Sequence, residues 1–514
     1  MNPLSQHATP SPCGGQLFAN NKGLGALANE LLIRILGELD ATDLVSCSKV
    51  NRAFKTLVDE APSLRNKLVF HAAGMREGPP GGSSISERLA QLAEYESTWK
   101  TETIPTGQRP SPDYSDAGGL FVNLDYDQSQ LVIRRPASFF SGVPEKAWIV
   151  DLSQLPEQGG PELELLPSCS YAVDIAQDLL VLMVLPQDDE EYPDCYALSL
   201  SGDGETHPLA AYRNFYDGSI LGLSNPQADI EIFGDLVGCT VVGMDICMSV
   251  YNWKTGAMVW CESESDEFDD EFEDMGEMEY HTRCHILDST HVLKISKYDL
   301  TVYRTAARGG NTGTLVCDLK MPALGEGFEA SYCASSVQRP PETPDCSPHF
   351  ECDPSLTVLV VEYDVRHESS QQDSALLVAV IPISTILAQV HGRRRKLSWK
   401  DWGARGARLV LLPYQTSYSA SIRTLGSRVA VSVSDPSAAP GVNVAVLDVR
   451  EGVKHAKDGS DAKREETLPF LILDRYTEED TPIFEGPVEA KMPYRMVRTR
   501  CDARVSVLCD GLCT

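Results

Sequence analysis

The chain has 514 residues, of which 42% are hydrophobic and 23% are charged, as in ordinary soluble globular proteins. Its 74 acidic residues outnumber its 44 lysines and arginines, which gives a formal net charge of −30 at pH 7. A chain this acidic is repelled by phosphate backbones and by anionic lipid. We therefore expect no general binding to nucleic acid or to membrane surfaces.

Residues 1–22 are polar and contain several prolines and glycines, which predicts a disordered tail. This segment lacks the basic start and the apolar run of a signal peptide. No apolar stretch of the sequence approaches the ~20 residues that a membrane-spanning helix needs. The 15 cysteines are odd in number and irregularly spaced, which favours reduced thiols and an intracellular protein, cytoplasmic or nuclear.

Apolar side chains repeat at helical spacing over residues 27–39. They form two neighbouring stripes, which are Leu31, Ile35 and Leu39, and Leu32 with Leu36. Asn29 is a candidate N-cap for this helix. Because both stripes are apolar, one can face a second helix while the other stays available to a partner.

A second helix is predicted to follow, with Asp40 or Thr42 as its N-cap and Pro62 as its end. The side chains that share its apolar face are Leu44, Cys47, Asn51, Phe54 and Val58. A module of roughly 40 residues is only marginally stable by itself. Periodicity alone leaves two interpretations open, a hairpin packed on the rest of the chain or a surface for another protein.

The order of these residues resembles the F-box family. The family pattern is Leu-Pro-x-Glu-Leu-Leu, then Ile-Leu, then Asp-Leu, then a Val-x-Arg-aromatic end. The matching positions here are Leu27, Glu30, Leu31, Leu32, Ile35, Leu36, Asp43, Leu44, Val50, Arg52 and Phe54. Ala28 stands where the family usually has proline, so it keeps the apolar contact without the fixed φ.

The resemblance implies that residues 23–70 are an F-box that binds a Skp-type adaptor and, through it, a cullin complex. The predicted adaptor contacts are Leu27, Ala28, Leu31, Leu32, Ile35, Leu36, Leu39 and Leu44. The resemblance covers less than a tenth of the chain. It does not indicate which protein the rest of the chain binds.

Residues 71–118 are predicted to be a linker that contains one helix. A Gly/Pro/Ser cluster at 78–84 ends the first module, and a helix over 84–99 follows, with Ser84 or Ser86 as its cap and Trp99 near its end. This arrangement resembles fungal F-box proteins. The helix is interpreted either as a stiff spacer or as a helix packed against the next domain.

From residue 119 to residue 514 the sequence is typical of a mainly β protein. Short β-branched runs alternate with turn residues in units that start roughly 50 to 75 residues apart, somewhat longer than common propeller repeats. We predict a β-propeller of about six to seven blades, with a β-sandwich array as the alternative. The stretch Val250–Gly256 is similar to WD-repeat blades. Ring closure is predicted to pair the strand at 121–124 with the last strands.

Three kinds of segment are candidate binding or metal sites. The acidic run 262–279 is predicted to be a solvated loop, and the alternative is capture of a basic target segment. The basic run 391–396 is predicted to be a solvated loop, and the alternatives are nuclear import or binding of an acidic partner. Three partial zinc-like groups lack the four ligands that a structural zinc site needs. They are Cys346, His349 and Cys352; His281, Cys284 and His285; and Cys501, Cys509 and Cys513.

The sequence contains none of the local motifs of serine hydrolases, P-loop enzymes, kinases or zinc proteases. We therefore predict a non-catalytic receptor of a ubiquitin ligase, with no catalytic residue, metal or cofactor and with an unknown protein as its substrate. Two alternatives stay open, an adaptor-bound scaffold and a propeller-fold hydrolase that carries an F-box. Propeller metal sites collect carboxylates from several blades, so local spacing cannot reveal them.

Overall fold

The computed structural model describes residues 27–79, 81, 83–99, 106–107, 115–125, 127–153, 155, 169–185, 193–216, 227–242, 245–265, 282–306, 313–344, 346, 348–413, 420–434, 442–450, 470–472, 474–477, 483–501, 505–508 and 510–513. The predicted tail 1–22 and most of the acidic run 262–279 lie outside these residues. The chain divides into two compact units, residues 1–71 and residues 72–514. No helix in the described ranges is long and apolar enough to cross a bilayer.

The first unit is helical. Its helices are α1 (Asn29–Gly37), α2 (Ala41–Val50), α3 (Arg52–Glu60) and most of α4 (Pro62–Ala72). The predicted single second helix is wrong, because the backbone of Asn51 is extended and its side chain accepts a hydrogen bond of 2.8 Å from the Phe54 N–H. Helix α3 ends at Glu60, just before Pro62 as predicted, and Pro62 then begins α4, since proline suits the first helical position.

The caps of the first two helices differ in kind. Asp40 caps α2 as predicted, with its carboxylate 2.7 Å from the backbone nitrogen of Asp43. The N-cap of α1 is Ala28, not Asn29, and no side-chain hydrogen bond caps that end. The exposed start of α1 therefore keeps orphan backbone N–H groups that water can satisfy.

The second unit begins with the linker elements β1 (Met75–Glu77), α5 (Ile85–Thr98) and β2 (Thr106–Gly107). Helix α5 starts where the sequence predicts, because Ser84 and Glu87 form a capping box. The Arg88 guanidinium donates to the carbonyl of Gly78 at 2.8 Å and to that of Pro79 at 2.8 Å. These bonds fold the Gly/Pro-rich segment back onto the helix.

The other main sheets form the six blades of a β-propeller, which confirms the predicted fold class and sets the blade number. Blade 1 contains β3 (Ser115–Ala117), β4 (Leu120–Asp125), β5 (Gln130–Arg135) and β6 (Lys146–Asp151). Blade 2 contains β7 (Cys169–Asp174), β8 (Leu179–Val184) and β9 (Asp194–Ser199). Blade 3 contains β10 (Gln227–Phe233), β11 (Leu236–Val242), β12 (Asp245–Asn252) and β13 (Ala257–Ser265).

The later blades carry the insertions. Blade 4 contains β14 (Arg283–Asp288), β15 (His291–Ile295), β16 (Asp299–Arg304) and β17 (Thr314–Lys320). Blade 5 begins with β18 (Phe328–Val337), inserts β19 (Phe350–Cys352), and continues with β20 (Val358–His367) and β21 (Ser370–Pro382). It then inserts α6 (Ile383–Val390), β22 (Lys396–Leu397) and α7 (Trp399–Gly406) before its last strand, β23 (Arg408–Pro413).

Blade 6 contains β24 (Ala420–Leu425), β25 (Arg428–Ser434), β26 (Val442–Asp448) and, after the inserted pair β27 (Arg475–Tyr476) and β28 (Val488–Glu489), β29 (Arg495–Cys501). The chain then forms β30 (Ser506–Val507) and β31 (Leu512–Cys513), and β31 pairs in parallel with β2. The predicted closing pair at 121–124 is wrong, because β4 pairs with β3 and β5. Instead, Phe121 packs its side chain against Cys513.

The core lies between the blades rather than in one central mass. Each pair of successive blades from 1 to 6 shares a buried apolar cluster, because both faces of most strands carry Val, Ile and Leu. The turn after β12 has the predicted geometry, since Gly256 has φ of +70°. This close packing leaves a channel at the first strands of the blades.

Candidate docking surface and central channel

Helix α1 and the residue before its N-cap expose three large apolar side chains. Leu27, Leu31 and Ile35 lie four residues apart and are 38%, 48% and 42% exposed. Ala28 beside them is also exposed. Leu31 and Ile35 share one face of α1, and Leu27 lies just before the N-cap, Ala28. We call Leu27, Leu31 and Ile35 the α1 ridge.

The other predicted adaptor contacts hold the helical unit together. Leu36 and Leu44 are buried in a cluster with Val58 and Leu64, and Leu39 is half-buried against the same cluster. Leu32 is also buried. The division follows the two predicted stripes except at Leu39, which belongs to the first stripe but packs against the core. Adaptor contact by all eight residues stays a prediction, and the exposed positions are the ones directly available to a partner.

Helix α5 is fixed to the β-propeller by a buried cluster of charges and aromatic rings. The Arg450 guanidinium donates to Glu96 Oε1 at 3.0 Å and lies 2.7 Å from the Asp448 carboxylate. Burial favours the neutral acid, but Arg450 and Arg428 outweigh it and lower the pKa of Asp448. The Tyr95 ring packs on Phe350, with 5.5 Å between the ring centres. The linker helix is therefore part of the second unit.

A second linker element is paired to the propeller. Strand β1 forms a two-stranded sheet with β19, which lies in the insertion of blade 5. Arg76 of β1 donates to Glu351 Oε2 at 2.9 Å and to Glu342 Oε1 at 2.7 Å. The insertion 338–354, which the sequence indicates only as extra length between strands, thus has a structural role.

The central channel is a cavity of about 490 Å³. It is lined mainly by the first strands of blades 2 to 5, which are β7, β10, β14 and β18. Ala117 and Gly118 at the end of β3, Gly238 and Thr240 of β11, and residues 338–339 after β18 complete the lining. First strands border the centre of the ring, so their inward side chains meet there although they are far apart in the sequence.

Two of the described residues that line the channel carry carboxylates, and each carboxylate is paired with an arginine. Arg283 contacts Asp229, and Arg339 contacts Glu231. Burial favours the neutral form of Glu231, but Arg339 and the hydrogen-bonded His285 outweigh it and lower its pKa. Glu231 is therefore an anion at neutral pH, held between a cation and a hydrogen-bond donor.

The Glu231 carboxylate is the first of three side chains joined by hydrogen bonds. Glu231 Oε2 lies 2.8 Å from Nδ1 of His285, and Nε2 of that imidazole lies 2.8 Å from Oγ of Ser335. In the sequence His285 stands out only as part of a zinc-like group, and no pattern marks Glu231 or Ser335. They come from three blades and are separated by 54 and 50 residues, so no local motif joins them.

The zinc-like groups do not assemble where their residues are described. Across the described part of the chain, no three His, Cys, Asp or Glu side chains converge as a metal site. Cys284 contacts Thr240, and His349 Nδ1 lies 2.9 Å from Ser83 Oγ. His281 and Cys509 lie outside the described residues.

Of the two charged segments, the basic run is described throughout and the acidic run only at its start. The basic run 391–396 is exposed between α6 and α7, and Arg394 contacts Asp401 at 3.3 Å. Of the acidic run, Glu262 pairs with Lys294, and residues 266–279 lie outside the described ranges. The binding roles considered for both segments stay predictions.

Comparison with known proteins supports the first unit. Residues 27–71 match the F-box-like family model, so the helical unit is F-box-like. A search of curated proteins found no match to the chain. Among solved structures, BamB from Moraxella catarrhalis is 13% identical, covers 68% of this chain and 88% of its own, and gives a TM-score of 0.30.

Hsv2p of Kluyveromyces lactis is 10% identical, covers 65% of this chain and 93% of its own, and gives a TM-score of 0.23. Similarities this weak carry no argument about the function of the β-domain. The six-blade assignment rests instead on the strand pairing and on the apolar clusters between successive blades.

Proposed function

We propose that this protein is the substrate-recognition subunit of a ubiquitin ligase of the Skp–cullin–F-box type. Its F-box-like unit binds a Skp-type adaptor, and its β-propeller binds a target protein. Its part in ubiquitin transfer is non-catalytic, and it acts in the cytoplasm or the nucleus. The observation that carries the proposal is the exposed α1 ridge within a segment that matches the F-box-like family model.

The α1 ridge has the properties of a helix that fits into an apolar groove. Fully burying a Leu or Ile side chain contributes roughly 1.5–3 kcal/mol. A partner that covers these half-exposed side chains therefore gains part of that free energy at each of them. The second stripe of α1 packs against α2 and α3 behind the exposed side, through Leu36, Leu44 and Val58. A supported ridge loses little conformational entropy on binding.

The protein promotes ubiquitin transfer by holding the target in place, not by reactions of its own side chains. A receptor that holds a target beside a charged conjugating enzyme raises the effective concentration of the target's lysines. The fixed linker helix suits this role, because Arg450, Glu96 and Asp448 make α5 one body with the propeller. The propeller supplies a rigid frame for loops that contact the target.

A pull-down with purified Skp-type adaptor tests the proposal. Wild-type full-length protein is compared with the double variant Leu31→Asp, Ile35→Asp, and Val69→Asp on α4 serves as a control because Val69 is 42% exposed, like Ile35. Leu36 is left intact, because it is buried and an aspartate there would unfold the module.

We expect the wild type and Val69→Asp to bind and the double variant to lose at least ~100-fold in affinity, since a carboxylate facing an apolar groove costs several kcal/mol. Circular dichroism checks that the double variant keeps its helices. Absence of binding by the folded wild type, or wild-type affinity in the folded double variant, contradicts the proposal.

A further inference from the structure

Three neighbouring blades each contribute one side chain to a hydrogen-bonded row in the channel. Glu231 is on β10 of blade 3, His285 on β14 of blade 4 and Ser335 on β18 of blade 5. The distances are 2.8 Å from Glu231 Oε2 to His285 Nδ1 and 2.8 Å from His285 Nε2 to Ser335 Oγ. This is the order of acid, base and nucleophile that serine hydrolases use.

With Glu231 ionised and the imidazole of His285 neutral, the hydrogen-bonding capacity of each group places the protons. An ionised carboxylate only accepts hydrogen bonds, so Nδ1 of His285 must carry the proton that Glu231 accepts. In the neutral imidazole the other nitrogen is then a free lone pair. Ser335 Oγ therefore donates its proton to Nε2, which is the arrangement that prepares a hydroxyl for attack.

Glu231 is itself held in place. Arg339 contacts its carboxylate and donates to the backbone carbonyl of Ile286, next to His285 in the chain. The guanidinium carbon of Arg339 also lies 4.7 Å from the centre of the Phe233 ring. This support keeps Glu231 ionised and directed at the imidazole, as the orienting carboxylate of a triad must be.

The row is open to small molecules. Ser335, His285 and Glu231 line the channel cavity of about 490 Å³, and each is half-buried. Ligand sites for small molecules span roughly 300–1,000 Å³. Arg283 and Arg339 line the same cavity, each beside its carboxylate partner, Asp229 or Glu231.

We propose that the channel hydrolyses carboxylic esters, with Ser335 as nucleophile, His285 as general base and Glu231 as the residue that orients the imidazole. This activity goes beyond the receptor function and does not depend on adaptor binding. A purely structural role for the row requires only that its polar groups be satisfied. The two roles differ in one measurable property, the reactivity of the Ser335 hydroxyl.

The reaction balances with water as the only co-reactant. Ser335 Oγ bonds to the acyl carbon while its proton moves to His285 Nε2. The carbon–oxygen bond to the leaving alcohol then breaks, and that alkoxide takes the proton from the imidazole. Water attacks the acyl–serine by the same path in reverse, which releases the carboxylic acid and restores Ser335.

Covalent labelling of the full-length chain with a biotin-linked fluorophosphonate tests the proposal. The probe bonds to an activated serine with loss of fluoride, and peptide mass spectrometry locates the adduct. We expect one adduct on Ser335 in the wild type and none at that site in Ser335→Ala. Ser336→Ala is the matched control, since Ser336 lines the same cavity without a described bond to His285.

His285→Gln separates the two roles, because glutamine can still hydrogen-bond Ser335 but cannot accept its proton. We expect His285→Gln and Glu231→Gln to slow labelling at least ~100-fold, within the range seen when triad members are replaced. Hydrolysis of p-nitrophenyl acetate should fall in parallel. Thermal melts show whether each variant is folded.

The wild-type adduct is informative even if a variant fails to fold. An adduct on Ser335 that Ser336→Ala retains and His285→Gln loses supports the triad. A folded wild type with no adduct on Ser335 overturns it, and so does labelling of His285→Gln at the wild-type rate. Adaptor binding is expected to be equal in all these variants, so this result is independent of the receptor proposal.

Discussion

The guanidinium carbon of Arg428 lies 4.1 Å from the centre of the Trp99 ring. Trp99 ends the linker helix, and Arg428 begins the second strand of blade 6. Arg428 also donates to the Tyr95 hydroxyl and lies 3.8 Å from the Asp448 carboxylate. The blade thus supplies a buried cation whose neighbours are two aromatic rings of the linker and one anion of its own.

Trp99→Ala is expected to lower the free energy of unfolding of the β-domain by about 3–5 kcal/mol, because it leaves a cavity and removes a desolvated cation–π contact. All six tryptophans lie in the unit of residues 72–514, so tryptophan fluorescence during urea denaturation reports on that unit alone. Ser97→Ala, on an exposed position of the same helix, is the control and should change little. A shift in Trp99→Ala no larger than that of the control contradicts the prediction.

Leu44 and Val50 give a matched test of the helical unit, since both lie on α2 but Leu44 is 0% and Val50 70% exposed. Leu44→Ala should cost about 2–5 kcal/mol, most of the stability of so small a module. Hydrogen exchange of the full chain, read by mass spectrometry, should show lost protection over residues 29–60. Val50→Ala should leave protection there unchanged.

The tryptophan fluorescence transition serves as the second readout of the Leu44→Ala experiment. It should be unaltered, because the helical unit contains no tryptophan. Full protection of residues 29–60 in Leu44→Ala would mean that Leu44 contributes little to the module's core.

Local spacing predicts most of what is local in this protein. The four-residue interval of Leu31, Ile35 and Leu39 predicts one apolar stripe of the helix, and Leu32 with Leu36 predicts a second. Leu32 and Leu36 are buried and Leu31 and Ile35 are exposed, whereas Leu39 packs against the core. Runs of β-branched residues predict the strands, and their number predicts the propeller. The apolar pattern does not reveal the break between α2 and α3 at Asn51. Extended backbone at this one residue leaves the apolar positions of the two helices nearly in phase.

Contacts between distant segments cannot be read in this way. Nothing near residue 75 indicates that β1 pairs with β19, some 275 residues later. The row of Glu231, His285 and Ser335 has the same origin, since ring closure brings together first strands of separate blades. One signal was available: each of these polar residues is set in a first strand, whose inward side chains border the channel.

Glu362 provides a pH-dependent test of the packing between blades 5 and 6. It lies on β20, at even spacing from Val358 and Val360 of the apolar cluster that these blades share. Burial raises the pKa of Glu362 to about 7, although Arg423 acts in the opposite direction. The folded protein therefore keeps a proton on Glu362 that the unfolded chain loses near pH 4.3.

The sign of the effect follows from this difference in proton binding. Between about pH 4.3 and about pH 7 the folded state binds more protons, so Glu362 lowers stability as the pH rises through that window, and the loss levels off above it. Glu362→Gln cannot ionise and should be more stable than the wild type at pH 8, by on the order of 3 kcal/mol, but not at pH 4.5. Urea denaturation followed by tryptophan fluorescence at both pH values measures the gain.

Glu329→Gln, where the side chain is 56% exposed, is the control and should show no comparable pH-dependent gain. An equal effect of Glu362→Gln at the two pH values would mean that Glu362 titrates as a solvated carboxylate.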